Sequence, residues 1–204
     1  HMPSFEHMMN DLKLSISEIF STYKGLPLIL YGHSMGGNLI INYLLRSAEG
    51  ISGAIVTGPY LRLGFEPPKW KVLLAKLSAN IYPSLSQSTG LEKIALARSS
   101  QVIQEYENDP LVHDKITASF FINIHQGGID AITRSKELKT EILLMHGAKD
   151  RLTSPEGSKV FYSNAGPNVR FHLLEELYHE IHNEPEKNEV FQLQFDWLGA
   201  LLMK

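Results

Sequence analysis

The 204-residue chain contains no cysteine. That absence excludes disulfides, thiolate metal sites and a cysteine nucleophile from its chemistry. No run of 18 consecutive apolar residues occurs, so the ordinary signature of a membrane-crossing helix is missing. Excess positive charge is missing too. Lys and Arg number 19 against 22 Asp and Glu, a net charge of −3, and no footprint for nucleic acid is expected. Internal repeats and low-complexity runs are absent, and nothing at the N-terminus resembles a signal peptide. His1-Met2 reads as a cloning remnant, and a cytoplasmic location is the expectation. What is present is the composition of a soluble globular protein, 43% hydrophobic and 20% charged, long enough for one domain with a sizeable core.

The stretch around which the chain is organised is Leu26 to Asn42, LPLILYGHSMGGNLIIN. An apolar run, Leu28 to Tyr31, stops at Gly32-His33-Ser34-Met35-Gly36-Gly37, and a second apolar stretch follows at helical spacing. This pattern predicts a strand, a tight turn and a helix, with G-x-S-x-G at the turn. A serine forced onto such a turn sits in strained backbone, and side chains at Gly32 or Gly36 are expected to clash with neighbouring segments. The turn pushes the Ser34 hydroxyl out of the sheet. It also aims the first amides of the helix at any oxygen bound there. The competing explanation, a chance Gly/Ser turn, lacks a reason for the strand before it and the helix after it.

Around this element the chain alternates. Ser4 to Tyr23 carries apolar residues at Phe5, Met8, Met9, Leu12, Ile16, Ile19 and Phe20, an amphipathic helix with Ser4 as N-cap and Gly25 past its end. Ile51 to Thr57 reads as a buried parallel strand. From Tyr60 to about Ile129 the rhythm breaks, with Pro67, Pro68, Pro83 and Pro110 separating helical patterns over Lys69 to Tyr82, Arg98 to Tyr106 and Lys115 to Gln126. The alternation resumes with a strand at Thr140 to Met145, a helix at Pro155 to Asn164 and a strand at Val169 to Glu175. A closing helix over Glu186 to Leu202 puts Val190, Phe191, Phe195, Trp197, Leu198 and Leu202 towards the core. The expected fold is α/β, a doubly wound parallel sheet, with residues 3–59 and 130–204 as the core and 60–129 as a helical insertion.

Reactive groups in open α/β sheets collect at the carboxyl ends of strands. Ser34, Asp150 and His179 fall there, in the chain order Ser, acid, His of the α/β-hydrolase arrangement. A serine hydroxyl needs a base to remove its proton. An imidazole supplies that base, and a carboxylate fixes its tautomer. Asp109, Asp114 and Asp130 are alternative acids, but they lie in or beside the insertion. Among the nine histidines, His33 lies inside the elbow, where its side chain is expected to point into the fold. His146 is expected to be a structural hydrogen-bonding residue. His182 shares the last loop with His179 and, like Glu180, reads as a supporting or helix-entry group.

The stretches GHSMGG, HGAKDRLTSPEGS and YHEIHNEPEKNEVF resemble the monoacylglycerol lipase and lysophospholipase group of the α/β-hydrolase superfamily, which includes the serine aminopeptidase-like hydrolases. YENDPLVHDKITASF is similar to that group's cap region. The resemblance covers essentially the whole chain. It implies Ser34 as nucleophile, Asp150 as acid and His179 as base in a serine hydrolase cleaving carboxylic esters of monoacylglycerol or lysophospholipid type through an acyl-enzyme. The Met35 amide then supplies one oxyanion donor. No metal or cofactor is implied. The insertion corresponds to a cap whose inner face binds an acyl chain, for which Trp70, Leu73, Leu74 and Leu77 are candidates. Its outer face is a candidate for peripheral membrane contact, bordered by Lys69, Lys71 and Lys76.

The departure is at the N-terminus. Family members carry about four strands before the helix that opens this chain, and their second oxyanion donor comes from an early HG-type loop. The chain therefore resembles a member without its N-terminal strands, with that second donor missing. Self-association, or dependence on a separate N-terminal segment, is expected. Two alternatives stand: a catalytically impaired fragment, or a hydrolase of another small ester or thioester. Epoxide hydrolases and dehalogenases are disfavoured because they need a carboxylate at position 34.

Overall fold

The computed structural model describes residues 2–203, apart from the side chains of Lys69, Lys71 and Asn80. In chain order its elements are α1 (Phe5–Thr22), β1 (Leu28–His33), α2 (Met35–Leu44), β2 (Ile51–Thr57), α3 (Lys69–Ile81) and β3 (Ser86–Ser88). They continue with α4 (Ser100–Asn108), β4 (Lys115–Thr117), α5 (Ala118–Arg134), β5 (Ile142–Gly147), α6 (Pro155–Asn164), β6 (Val169–Leu174) and α7 (Lys187–Leu202). Helix starts follow the capping chemistry of the sequence. The hydroxyls of Ser4, Ser99, Thr117 and Ser154 each accept a backbone N–H from the first turn, and Pro155 opens α6.

The sheet has the order β1-β2-β5-β6, and every pairing is parallel. Its two faces can be read from adjacent rows. Leu30, Ala54, Ile142 and Val169 lie side by side and are all buried in one cluster with residues of α1, α2, α5 and α6. One residue further on, Tyr31, Ile55, Leu143 and Arg170 form the row on the opposite face. There Ile55 and Leu143 pack with Trp197 and Val190 of α7, whereas Tyr31 and Arg170, on the two edge strands, are exposed. Residues such as Phe161, Ile41 and Leu144 are fully buried. Each contributes about 1.5–3 kcal/mol of transfer free energy.

Three expectations are corrected. Phe191, Phe195 and Leu202 of α7 are exposed, because the buried stripe runs through Val190, Gln194 and Trp197. Those three lie four and then three residues apart on one face, and Phe191, Phe195 and Leu202 fall about a quarter-turn or more off it. Lys115 to Thr117, expected in a helix, pairs antiparallel with Ser86 to Ser88. The helix starts only after Thr117, whose hydroxyl caps it. Finally, α5 runs unbroken through residue 129 to Arg134, so the insertion and the core share a helix that packs on α2, α3 and α6.

Candidate active site

Ser34 occupies the step between β1 and α2 with φ 54° and ψ −117°, the sole non-glycine residue with positive φ among the described residues. Such backbone is costly for a residue with a Cβ and persists only where the surroundings enforce it. Here they do. Ser34 N–H donates to Thr57 O at 2.9 Å, and Ser34 O accepts from Tyr60 N–H at 2.9 Å and Asn38 N–H at 3.2 Å. The glycines allow α2 to fold back on the strand. A Cβ on Gly32 would lie 2.7 Å from Gly36 O, and one on Gly37 would lie 2.9 Å from Val56 Cγ1. Gly36 has open space beside it, so the expected clash belongs to Gly37 instead. As the first residue of α2, Met35 has no carbonyl one turn back for its amide to bond, the condition for an oxyanion donor.

Asp150 lies in the turn after β5 and is buried. Its Oδ1 accepts the N–H groups of Leu152 at 2.8 Å and Thr153 at 3.0 Å. Its Oδ2 lies 2.7 Å from His179 Nδ1, 3.0 Å from His146 Nε2 and 2.7 Å from the Thr153 hydroxyl. Burial by itself raises a carboxyl pKa, but the hydrogen bonds from His146 and His179 outweigh it and hold Asp150 well below the usual carboxylate range. The alternative acids Asp109, Asp114 and Asp130 sit at exposed positions.

His179 is buried on the loop after β6. Its ring packs 4.6 Å from that of His33, and His33 in turn meets His182 edge-on at 4.9 Å. His33 Nδ1 lies 3.0 Å from Thr57 Oγ1. Burial, reinforced by His179 and His182, lowers the His33 pKa to about 3. His182 is also lowered, mainly by burial. The structure thus brings Asp150 and His179 together and lays His33, the neighbour of Ser34, against the His179 ring. The expected hydrogen bond between Ser34 and His179 is not among the contacts of the described residues. The His179 ring is anchored by Asp150 on one side and by His33 on the other, so its orientation is set without the serine. Catalytic hydrogen bonds of this kind commonly tighten only when substrate is bound.

Three contributors were not visible in the sequence. The Thr153 hydroxyl lies against Asp150 and also reaches Gly58 O at 3.0 Å. Ser158 Oγ lies 2.8 Å from His146 Nδ1. Glu184, with a fully buried carboxylate, accepts Tyr178 N–H at 3.0 Å, Arg98 Nε–H at 2.9 Å and Arg98 N–H at 3.3 Å. Arg98 also pairs with Glu186, and Glu180 N–H donates to Leu96 O at 2.8 Å. The base loop is thereby stitched to the 95–98 segment of the insertion. An HG-x-x-D or base-loop pattern points to the acid and the base, but their supports come from segments far away in sequence.

On the insertion side, Tyr60 and His125 lie 6.5 Å apart, with His125 stacked on Phe121. Tyr60 Oη and His125 Nδ1 are buried without a hydrogen-bond partner, as are His33 Nε2 and His182 Nδ1. The candidate acyl-binding residues Trp70, Leu73, Leu74 and Leu77 are each half or more exposed, while Ala75 of the same helix is buried. Lys76 is exposed, and the side chains of Lys69 and Lys71 lie outside the described residues.

The chain is similar to known proteins along most of its length. An abhydrolase domain-containing protein of Dictyostelium discoideum is 30% identical over 97% of this chain, which spans 21% of that protein. Phospholipase YtpA of Bacillus subtilis is 31% identical over 94% of the chain, which covers 74% of the enzyme. The crystal structure of a Paleococcus ferrophilus monoacylglycerol lipase superposes with a TM-score of 0.89 at 30% identity, covering 97% of this chain and 76% of that one. A family model, serine aminopeptidase S33, matches residues 1–186. The chain belongs to this serine aminopeptidase S33 family of α/β hydrolases.

Proposed function

We propose that this chain is a serine carboxylic-ester hydrolase for monoacylglycerol-like or lysophospholipid-like esters, with Ser34 as nucleophile, His179 as base and Asp150 as acid. The observation that carries the proposal is the 2.7 Å contact between Asp150 Oδ2 and His179 Nδ1, at the same carboxyl end of the parallel sheet as a serine held at positive φ. In the proposed reaction His179 removes the Ser34 proton as the oxygen attacks the ester carbonyl. The resulting oxyanion meets the Met35 amide at the positive end of α2. The imidazolium then protonates the departing alcohol, and water repeats the sequence on the acyl-enzyme. Asp150 stays ionised throughout, because its hydrogen bonds favour the anion.

The lipid substrate class draws support from the names of relatives, a phospholipase and a monoacylglycerol lipase. It draws support as well from the outward apolar face of α3, where Trp70, Leu73, Leu74 and Leu77 suit an acyl chain or a membrane surface. A second reading, an impaired hydrolase fragment that self-associates, is favoured by β1. Among the described residues its outer edge has no paired strand, and Tyr31 there is exposed. Labelling with a fluorophosphonate probe, in wild type and Ser34→Ala, tests the nucleophile. Turnover of monoacylglycerol, lysophospholipid and thioester substrates then sorts the class. Labelling that survives Ser34→Ala would overturn the proposal.

A further inference from the structure

The catalytic carboxylate in the proposed mechanism carries more donors than the base alone. Oδ1 takes two backbone N–H groups, and Oδ2 is approached by the Thr153 hydroxyl, His146 Nε2 and His179 Nδ1. Those are five donors around a group with about four lone-pair positions. His146 is fully buried at the end of β5, four residues before Asp150, and both of its nitrogens are engaged. An ionised carboxylate only accepts, so Nε2 is the nitrogen that carries the proton. Where that is the ring's single proton, Nδ1 accepts, and the hydroxyl facing it at 2.8 Å is that of Ser158 on α6. The chain of donation runs from Ser158 to His146 to Asp150, and on the other side of the same oxygen stands His179.

We propose that His146 is a positioning residue for the base: a second imidazole on Asp150 Oδ2 that competes with His179 for the carboxylate and so tempers the basicity of His179. The inference rests on the assignment of Asp150 and His179 as acid and base. The physical cause is competition for one charge. Each donor on Oδ2 spreads the negative charge, leaving less of it to stabilise the imidazolium that His179 becomes. A base tempered in this way gives its proton more readily to the departing alcohol. With His146 removed, the carboxylate turns its full pull on His179, and the imidazolium is favoured to higher pH.

The groups that surround this pair are few. Ser158 faces His146 from α6, and Thr153 faces it from the acid turn. On the far side, His33 packs on the His179 ring, and His182, with Glu180 beside it, packs on His33. Substitution at 146 takes a partner from Ser158 and the 3.4 Å contact from Thr153, and leaves His33, His182 and Glu180 unchanged.

The test is the pH titration of the His179 ring by heteronuclear NMR in the intact chain, which needs no turnover. His146→Leu is expected to raise the His179 midpoint by about one pH unit, and His146→Gln, which offers an amide N–H at similar reach, to stay near wild type. Ser158→Ala removes the hydroxyl that faces His146 Nδ1, weakens the Nε2–H donation to Asp150 and is expected to give a smaller upward shift. The pH dependence of fluorophosphonate labelling should move with the NMR midpoints. A purely structural role for His146 lowers the melting temperature without moving the midpoint. The proposal is overturned if His146→Leu and His146→Gln titrate alike, or if the midpoint moves in neither His146→Leu nor Ser158→Ala. Should His146→Leu fail to fold, Ser158→Ala decides by the same criterion. Absence of labelling in the wild type would count against the hydrolase assignment, while the titration still reads the link between His146 and His179.

Discussion

The ring of His33 lies 4.6 Å from the ring of His179, tilted by 52°, so the residue beside the proposed nucleophile packs directly on the proposed base. Its pKa of about 3 is the product of burial first and of the neighbouring imidazoles second. The folded state therefore holds His33 neutral, whereas the unfolded chain protonates it below the ordinary histidine value of about 6.5. Between those two values the unfolded state binds more protons, so stability falls as pH is lowered from about 6.5 towards 3. Urea denaturation across that range should show the decline, and His33→Gln should flatten it. An unchanged slope in the variant would place the acid sensitivity elsewhere.

In the proposed mechanism Asp150 works through charge and orientation, so Asp150→Asn should leave the fold in place and disable the base. The amide cannot hold His179 in the required tautomer. The expected loss of p-nitrophenyl ester turnover is about 10³–10⁴-fold. Circular dichroism and turnover measured together check it; a loss below tenfold would mean another acid serves His179.

Glu184 ties the base loop to the insertion through Tyr178 N–H and Arg98. Glu184→Ala leaves the Tyr178 and Arg98 amides without their side-chain acceptor, while the Arg98 guanidinium keeps Glu186. An amide deprived of its partner costs about 1–3 kcal/mol, and the half-exposed Arg98 adds little because water can rehydrate it. Chemical denaturation should register a destabilisation of about 2 kcal/mol. Turnover should fall as well, because the loop carries His179.

The exposed face of α3 predicts a separable membrane function. Trp70→Ser with Leu74→Ser removes apolar surface from solvent, not from the core, and should change stability by less than about 0.5 kcal/mol. Flotation with phosphatidylcholine vesicles should show partitioning of the wild type and its loss in the double variant. Equal flotation of the two proteins would assign the face another role.

An open β1 edge invites strand pairing between copies. Sedimentation velocity is expected to show self-association that grows with concentration. Tyr31→Lys, a charge on that edge strand, should shift the distribution towards monomer; a monodisperse wild type would rule the pairing out.

How much of this was legible in the chain depends on the range of the forces involved. The helix Pro155–Asn164 and the strand Ile51–Thr57 occur at their expected bounds, since capping, proline placement and β-branched runs act within a few residues. The elbow was readable for the same reason: a glycine-flanked serine between an apolar strand and an apolar helix is a local statement. The order of Ser34, Asp150 and His179 could be read too, because each follows a strand that the pattern identifies. The pairing of Asp150 with His179 could be read as well, but the further partners of those residues could not. Nothing in the sequence near Asp150 says that one of its oxygens would be shared by His146 and His179, which are 4 and 29 positions away. Nor does it say that Glu184 would reach 86 residues back to Arg98. The direction of α3 was equally out of reach. Its periodicity marks an apolar face, but whether that face turns to core or to solvent is decided by what α5 buries instead. Hydrophobic spacing and backbone chemistry determine elements and their order, whereas hydrogen-bond partners and exposure are set by distant segments, which only the packed chain brings within reach.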